Sequence, residues 1–274
     1  MTMTRRSAVK LLGASAVGAS VGSVGYGFWY GRRALRLTHA TLPVTGLPPA
    51  LDGLRIGLMT DIHRSQWVSE TDVANAVSLL MDARPDLIVL GGDYVTWGDR
   101  NYVESAAEGL ATLAAPYGVF GILGNHDDDR DMPAALVKRG IEVLKNERTR
   151  VTLRNEALDL AGISFWTRRG ADIAAVVRGA SAPTILLAHD PRRLAEAAAL
   201  DIPLVLSGHT HGGQVVLPIV GAVAARKFSV VAGTARRSRT TVFVSRGVGT
   251  VYLPVRINCP PEVAVLTLTP ADHT

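Results

Sequence analysis

Residues 203–213 of the chain read PLVLSGHTHGG, so two histidines directly follow an apolar run that is typical of a buried β-strand. Two imidazoles spaced two residues apart and flanked by glycines have little structural use. Imidazole is a ligand that several transition metals favour, and both rings can reach one site at the end of the strand. The stretch therefore predicts a metal site at the carboxyl end of a strand in an α/β fold.

Four more motifs follow apolar runs in the same way. They are Asp61-Ile62-His63, Gly92-Asp93, Gly124-Asn125-His126-Asp127 and Ala188-His189. Each has a plainer explanation when taken singly, such as turn-forming composition or one buried structural histidine. Together they collect oxygen ligands and imidazoles at strand ends, where α/β folds bind their ligands. The set predicts two divalent cations side by side and metal-assisted hydrolysis of a phosphate ester.

Strand-like and helix-like segments alternate through most of the chain. We expect strands at 54–60, 86–90, 119–123, 141–145, 150–153, 157–164, 184–187, 203–207, 241–245 and 262–268. Helical spacing of apolar residues predicts helices at 70–83, 102–114, 132–139 and 191–199. Alternation of this kind predicts an α/β fold, and the almost continuous apolar strands predict a sheet that is covered on its faces.

Composition narrows the class of protein. The 274 residues are 47% hydrophobic and 19% charged, which suits one sizeable domain, and no linker divides the chain after residue 50. The net charge of +5 favours anionic partners or is ordinary solubility charge, and the sequence leaves both open. No motif supports nucleic-acid binding. Cys259 is the single cysteine, which excludes an internal disulfide.

The N-terminal segment, residues 1–36, is expected to be an export signal or a membrane anchor. Residues 4–10 resemble a twin-arginine signal through Arg5 and Arg6, although Ala8 stands where such signals usually carry Phe. The alternative is an ordinary signal anchor. The following run is about 20 residues long, just enough to span a bilayer, and an uncleaved, outward-facing anchor is our preferred interpretation. We expect a linker over 37–52 and the catalytic domain over 53–270.

The five motifs together resemble the calcineurin-like metallophosphoesterases, over roughly residues 53–268. Several stretches look closer to the exported or membrane-attached YkuE/YaeI-type phosphodiesterases, namely residues 117–121, 206–214, 245–250, 256–258 and 261–262. This resemblance implies a four-layer αββα sandwich, in which two mixed sheets pack face to face with helices outside.

The resemblance also implies a role for each motif residue. Seven would be metal ligands: Asp61, His63 and His211 for one ion, Asn125, His189 and His209 for the other, and Asp93 bridging both. The ions would be Mn²⁺, Fe²⁺ or Zn²⁺. A hydroxide bridging them would attack phosphorus, and His126 would protonate the leaving group. Asp127 would either orient the His126 ring or only form a turn. Arg246, between a strand and a Gly-rich turn, is our candidate for substrate binding.

These expectations describe a phosphodiesterase or pyrophosphatase of the cell envelope, in the periplasm or another extracytoplasmic space. Its substrate would be a lipid- or nucleotide-linked phosphate ester, and its contact with the membrane would run through the N-terminal segment. Three alternatives remain: a UDP-2,3-diacylglucosamine pyrophosphatase-like hydrolase of lipid A metabolism, a phosphoprotein phosphatase, and a non-catalytic scaffold. An export signal argues against the first, because its substrate is cytoplasmic. We expect neither nucleic acid nor an obligate protein partner.

Overall fold

The computed structural model of the chain describes residues 4–271, so the first three residues of the expected signal lie outside the described part. The helices are α1 (Arg5–Trp29), α2 (Glu70–Asp82), α3 (Val103–Gly109), α4 (Asp131–Val137), α5 (Gly170–Val177) and α6 (Leu194–Ala199). The strands are β1 (Arg36–Thr45), β2 (Arg55–Met59), β3 (Leu87–Leu90), β4 (Val119–Gly121), β5 (Glu142–Val143), β6 (Glu147–Leu153), β7 (Glu156–Gly162), β8 (Thr184–Leu187), β9 (Leu204–Ser207), β10 (Val216–Leu217), β11 (Gly221–Ala222), β12 (Gly233–Arg237), β13 (Thr240–Val244) and β14 (Glu262–Ala271).

The larger strands form two mixed sheets. The first has the order β1-β14-β2-β3-β4-β5 and the second the order β12-β13-β9-β8-β7-β6. In the first sheet β2, β3 and β4 are parallel to one another, while β14 runs antiparallel to β2. In the second sheet β7, β8 and β9 are parallel, while β6 runs antiparallel to β7. Parallel strands place their carboxyl ends at one edge of each sheet.

Three apolar clusters separate four layers. The middle cluster lies between the two sheets and joins residues such as Ile56 and Leu206. An outer cluster packs α2, α3 and α4 against the first sheet, and another packs α5 and α6 against the second. The expected α/β architecture, an αββα sandwich of two mixed sheets, is confirmed.

Helix α2 shows how local sequence sets these layers. It begins after Ser69, whose hydroxyl accepts the Asp72 N–H while the Asp72 carboxylate accepts the Ser69 N–H, so two exposed donors are satisfied. Val73 and Leu80 are buried against the first sheet, as their helical spacing predicts. The expected helix over 70–83 matches the observed one to a single residue.

The expected linker over 37–52 is the clearest difference from the sequence prediction. Most of that segment forms β1, a ten-residue strand that pairs in parallel with β14 from Arg36↔Glu262 to Thr45↔Ala271. Leu42 and Val44 are buried in the cluster between the sheets. The segment is therefore part of the domain, and we correct the linker prediction for residues 37–45.

Helix α1 stands apart from the sandwich over most of its length. Together with the short turn that follows, it covers Arg5–Arg33 and is long and apolar enough to cross a membrane. A signal sequence near an N-terminus meets the same criterion. Its described side chains are exposed up to about residue 24, whereas Gly27 and Gly31 lie against the domain.

Candidate metal centre

The predicted ligands converge at one edge of the sandwich. Asp61 and His63 follow β2, Asp93 follows β3, and Asn125 follows β4. His189 follows β8 in the second sheet, and His209 and His211 follow β9. Because these strands are parallel within each sheet, the two sheets bring all seven residues to the same edge.

A first cluster joins Asp61, His63 and His211, and each of the three is buried. The Nε2 atoms of His63 and His211 lie 3.1 Å apart. The Nε2 atom of His211 lies 3.4 Å from Asp61 Oδ1. Two imidazole nitrogens and a carboxylate oxygen thus face one small volume that could hold a metal ion.

A second cluster joins Asp93, His189 and His209. The Nε2 atom of His189 lies 3.1 Å from Asp93 Oδ2. The same carboxylate oxygen lies 3.5 Å from His63 Nε2, in the first cluster. Asp93 therefore faces both clusters with one oxygen, the position that a bridging ligand requires.

Two orphaned atoms test whether these residues fit metal ions. Asn125 Oδ1 and His189 Nε2 are buried, and neither makes a well-aligned hydrogen bond among the described residues, although Asp93 Oδ2 lies 3.1 Å from His189 Nε2. Buried polar atoms normally find a partner, so each unpaired one calls for an explanation. Carboxylate, amide and imidazole atoms form a mixed N/O donor set, which suits Mn²⁺, Fe²⁺ or Zn²⁺. The residues present therefore fit a pair of such ions.

The outer nitrogens of two ligand rings are held by neighbours. His189 Nδ1 lies 2.7 Å from the Gly91 carbonyl oxygen, to which it donates. His63 Nδ1 lies 3.0 Å from the Thr96 hydroxyl. Partners of this kind fix the orientation of an imidazole and leave Nε2 free for a metal.

Buried carboxylates dominate the electrostatics of the centre. Burial opposes ionisation of Asp93, but the charges and hydrogen bonds of His189 and His63 together outweigh it and hold the pKa of Asp93 well below its usual value. Burial likewise lowers the pKa of His189, yet Asp93 and Asp61 outweigh it and raise that pKa to about 10. Burial and the charge of His189 lower the pKa of His209 to about 3. The buried carboxylates thus attract a cation to this spot.

Five ligands have left-handed backbone. The φ angles are 52° at Asp61, 50° at His63, 58° at Asp93, 70° at His209 and 51° at His211. Non-glycine residues in this region each cost of order 1–3 kcal/mol, and such strain clusters at functional sites. Hydrogen bonds hold it in place, including Asp61 N–H to Gly92 O and His63 N–H to Asp93 O, both 2.9 Å.

Close packing around the carboxylates requires glycine at two positions. A Cβ atom on Gly124 would lie 2.1 Å from Asp93 Oδ1, and one on Gly208 would lie 2.2 Å from Asp61 Oδ2. Any larger residue would displace the carboxylate of a predicted ligand. The glycines of the 124–127 and 208–213 motifs therefore shape the centre as directly as the ligands do.

His126 lies at the rim of the centre, 5.0 Å from the His63 ring by centroids. The backbone N–H of Trp97 donates to His126 Nδ1 at 3.0 Å. The proton of the neutral His126 ring therefore sits on Nε2. Burial lowers the pKa of His126 to about 4, which favours the neutral ring near pH 7. The ring presents a hydrogen-bond donor.

The Asp127 carboxylate binds backbone N–H groups, and its contacts do not support the expectation that it orients the His126 ring. Its carboxylate accepts N–H groups of Asp93 and Tyr94 at 2.7 Å and of Gly124 at 2.8 Å. The N–H that orients the His126 ring comes from Trp97 instead. The turn-forming alternative describes the observed contacts, which tie the β3 and β4 loops together.

Arg246 points to a buried partner. Its Nη1 lies 2.7 Å from Glu262 Oε2, and Glu262 is almost fully buried. The guanidinium is therefore engaged in an ion pair at the β1–β14 side of the centre. The prediction that Arg246 binds substrate gains no contact from this geometry.

Arg256 is a residue that the sequence analysis did not single out. It is 1% exposed, and its guanidinium donates to the carbonyls of Gly247, Gly249 and His211. It thereby joins the His211 loop to the Gly-rich turn after β13. The only signal in the sequence was its place in the 256–258 stretch, to which no chemistry could be attached.

A cleft of about 430 Å³ opens beside the first cluster. Thr96 and Trp97 line its inner end, where the Trp97 ring lies 4.5 Å from the His126 ring. Trp67 and Tyr252 line its walls, and the Tyr252 ring contacts Trp97 at 5.2 Å. Val251 and Tyr252 also line a second pocket of about 140 Å³ whose lining includes His209 and His211, so the cleft adjoins the centre.

Comparison with known proteins identifies similar chains. The calcineurin-like phosphoesterase family model matches residues 54–213. The chain is 29% identical to the uncharacterized metallophosphoesterase YkuE of Bacillus subtilis, over 97% of this chain and 98% of the other. It is 33% identical to the phosphodiesterase YaeI of Escherichia coli, over 78% and 82%. It is 32% identical to a zebrafish (Danio rerio) transmembrane protein with a metallophosphoesterase domain, over 90% and 60%.

Proposed function

The chain belongs to the calcineurin-like phosphoesterases and is a phosphoric ester hydrolase, and we propose that it cleaves a phosphodiester or pyrophosphate at a dinuclear metal centre. The observation that carries the proposal is the position of Asp93, one oxygen of which faces both ligand clusters. The unpaired Asn125 and His189 atoms support the same conclusion.

Seven residues would hold the two ions. Asp61, His63 and His211 would hold one, Asn125, His189 and His209 the other, and Asp93 would bridge them. When bound, such ions lower the pKa of a water and neutralise charge on the phosphate oxygens. Manganese, iron and zinc remain equal candidates under the proposal.

His126 would stabilise negative charge on the departing oxygen. Its Nδ1 already accepts the Trp97 N–H, so a second proton there would place two donors face to face. That geometry disfavours the charged ring and favours a hydrogen bond from Nε2–H over complete proton transfer. Our sequence expectation of a proton donor is thereby refined to a hydrogen-bond donor, worth about 10²–10³-fold in rate.

We propose that the hydrolase works at the cell envelope. Helix α1 begins directly at Arg5 and Arg6, and its length and apolar composition suit either an export signal or an anchor. Similarity to a transmembrane protein from zebrafish supports membrane attachment. The complete ligand set argues against a scaffold, because a scaffold needs no unpaired ligand atoms at its centre.

The test is hydrolysis of bis(p-nitrophenyl) phosphate by the full chain in detergent. The protein would be stripped of metal and then supplied with Mn²⁺, Fe²⁺ or Zn²⁺ in turn, beside His126→Gln. Asp52→Asn, an exposed residue outside the centre, serves as the matched control. We expect turnover to return with metal, to fall about 10²-fold in His126→Gln and to persist in the control. Two bound ions without turnover would contradict the proposal.

A further inference from the structure

The wall of the cleft is also the surface on which α1 rests. The Phe28 ring of α1 packs edge-on against the Trp67 ring, with centroids 5.9 Å apart. The Arg32 guanidinium, just beyond α1, donates to the Trp67 carbonyl. The backbone N–H of Arg256 donates to the Gly27 carbonyl at 3.2 Å. The end of α1 is therefore joined to the cleft wall at Trp67 and to residues 255–257, which directly follow the lining residues Leu253 and Pro254.

Two glycines allow this close approach. A Cβ atom on Gly31 would lie 2.1 Å from the Arg256 carbonyl oxygen, and one on Gly27 would lie 2.7 Å from Val255 Cγ1. The two positions are four residues apart, so they present one smooth face to residues 255–257. Backbone contact of this kind makes α1 a fixed support of the domain, in contrast to a loose tether.

Large apolar side chains surround the cleft mouth and remain exposed. Trp97 is 64% exposed, Tyr252 75% and Leu253 65%. Trp29 and Tyr30, at the end of α1, are exposed as well. Exposed apolar patches mark interaction surfaces, and aromatic residues at a helix end are typical of the bilayer interface.

The hairpin of β10 and β11 extends this surface. It grows from the segment beside α1, because the Val216 N–H donates to the Ile257 carbonyl at 3.0 Å. At its tip Ile219 is fully exposed with φ 69°, a backbone conformation that β-branched residues rarely adopt. Val220 beside it is half exposed. Backbone strain at an exposed apolar side chain indicates a functional role, and insertion into a bilayer would bury this side chain.

From these contacts we propose that the cleft opens onto a bilayer and that the substrate is a membrane-resident phosphate ester. Helix α1 would cross the bilayer and bring the cleft mouth to its surface, with the lipid chains of the substrate remaining in the membrane. The phosphate would then reach Asp93 and His126 through the cleft. This inference rests on the proposed hydrolase function.

The reaction balances as a hydrolysis. The oxygen of water bonds to phosphorus, one P–O bond of the diester breaks, and the leaving alcohol or phenol departs as an oxyanion and takes up a proton. The lipid part stays in the bilayer. Neither an oxidant nor a further co-reactant is needed, and the soluble product leaves through the open side of the cleft.

The first test measures where the cleft sits. The full chain would be reconstituted in phosphatidylcholine vesicles with brominated chains, using variants that retain one of the four tryptophans. We expect fluorescence from Trp97 to be strongly quenched and fluorescence from Trp166 to be little affected. Trp166 is the reference because it is equally exposed but stands beside Phe165, which contacts the second cluster at His209. Absent quenching of Trp97, or equal quenching of both, would overturn the inference.

The second test compares two chromogenic diesters that differ only in chain length, methyl and hexadecyl p-nitrophenyl phosphate. In vesicles the hexadecyl diester should be hydrolysed at least about tenfold more efficiently, in kcat/KM. Ile219→Asp should lower that preference, since a charged tip leaves the bilayer. Val137→Asp, at an exposed valine on α4, is the matched control and should preserve it.

The two proposals fail in different ways. No turnover of either diester with any metal would remove the proposed hydrolase. Equal efficiency on both diesters would leave the hydrolase in place and overturn the membrane-resident substrate. An unchanged preference in Ile219→Asp would show that the chain effect comes from partitioning into vesicles, which also overturns it.

Discussion

The metal centre and the cleft wall beside it are built in opposite ways. Asp61, His63 and Asp93 are buried, their backbone is strained, and backbone hydrogen bonds fix each of them. Trp97 and Tyr252 are mostly exposed, and their rings contact one another at 5.2 Å. Phosphate chemistry needs ligand atoms at fixed separations, whereas substrate selection needs shape and apolar area. The contrast predicts that substitutions in the centre reduce activity far more than substitutions in the cleft wall.

Asp93→Asn should give the largest effect. The substitution removes the negative charge that faces both clusters, so we expect at least one ion to be lost and kcat to fall by about 10³-fold or more. Turnover of bis(p-nitrophenyl) phosphate and metal content per chain are the two measurements. A variant that keeps two ions and loses less than about tenfold would show that Asp93 is not the shared ligand.

Asp127→Asn tests the backbone that supports the centre. An amide cannot accept from all three N–H groups at once, which costs about 1–3 kcal/mol of unfolding free energy. We expect metal affinity to fall about 10–100-fold, as for other residues that support ligands. Asp129→Asn, exposed and two residues away, should change neither quantity. A fall in kcat without a change in metal affinity would contradict this role and favour the alternative, that Asp127 orients the His126 ring.

Tyr252→Ala tests the wall. Loss of one aromatic face should raise KM for the soluble diester about 2–10-fold and leave kcat almost unchanged. Val137→Ala, at an exposed apolar residue on α4 outside the cleft lining, is the comparison and should alter neither constant. A large fall in kcat would mean that the wall belongs to the chemistry and would erase the contrast between the two regions.

Asp159→Asn should change stability without touching activity. This buried carboxylate on β7 binds Arg148 and Arg150, at 2.6 Å and 2.8 Å. Its loss should lower the free energy of unfolding in urea by about 1–3 kcal/mol at pH 7. Burial raises the pKa of Asp159, but the two arginines outweigh it and hold the pKa below its ordinary value.

The sign of the pH dependence follows from that lowered pKa. A carboxylate whose pKa falls on folding stabilises the protein above the pKa of the unfolded chain, about 4, and loses that contribution as pH falls through the folded value. The stability gap between wild type and Asp159→Asn should therefore narrow below about pH 4. A gap that is constant with pH would assign the loss to packing.

The sequence was informative wherever chemistry restricts the residue type. Six of the seven predicted ligands lie in the two clusters because carboxylate and imidazole groups followed strands whose ends meet. The sequence allowed a turn-forming Asp127, but its contacts with Asp93 and Tyr94 could not be foreseen because these partners are more than thirty residues away. Strand β1 was mistaken for a linker because its partner β14 lies 226 residues further on. Local patterns carry no information about such pairings.

The position of β14 within the first sheet has a consequence for biosynthesis. This strand lies between β1 and β2, so the sheet is interrupted until residues 262–271 have left the ribosome. The loops that carry Asp61 and Asp93 are made long before, but their sheet cannot close around them. The centre can therefore be completed only after β14 has taken its place between β1 and β2.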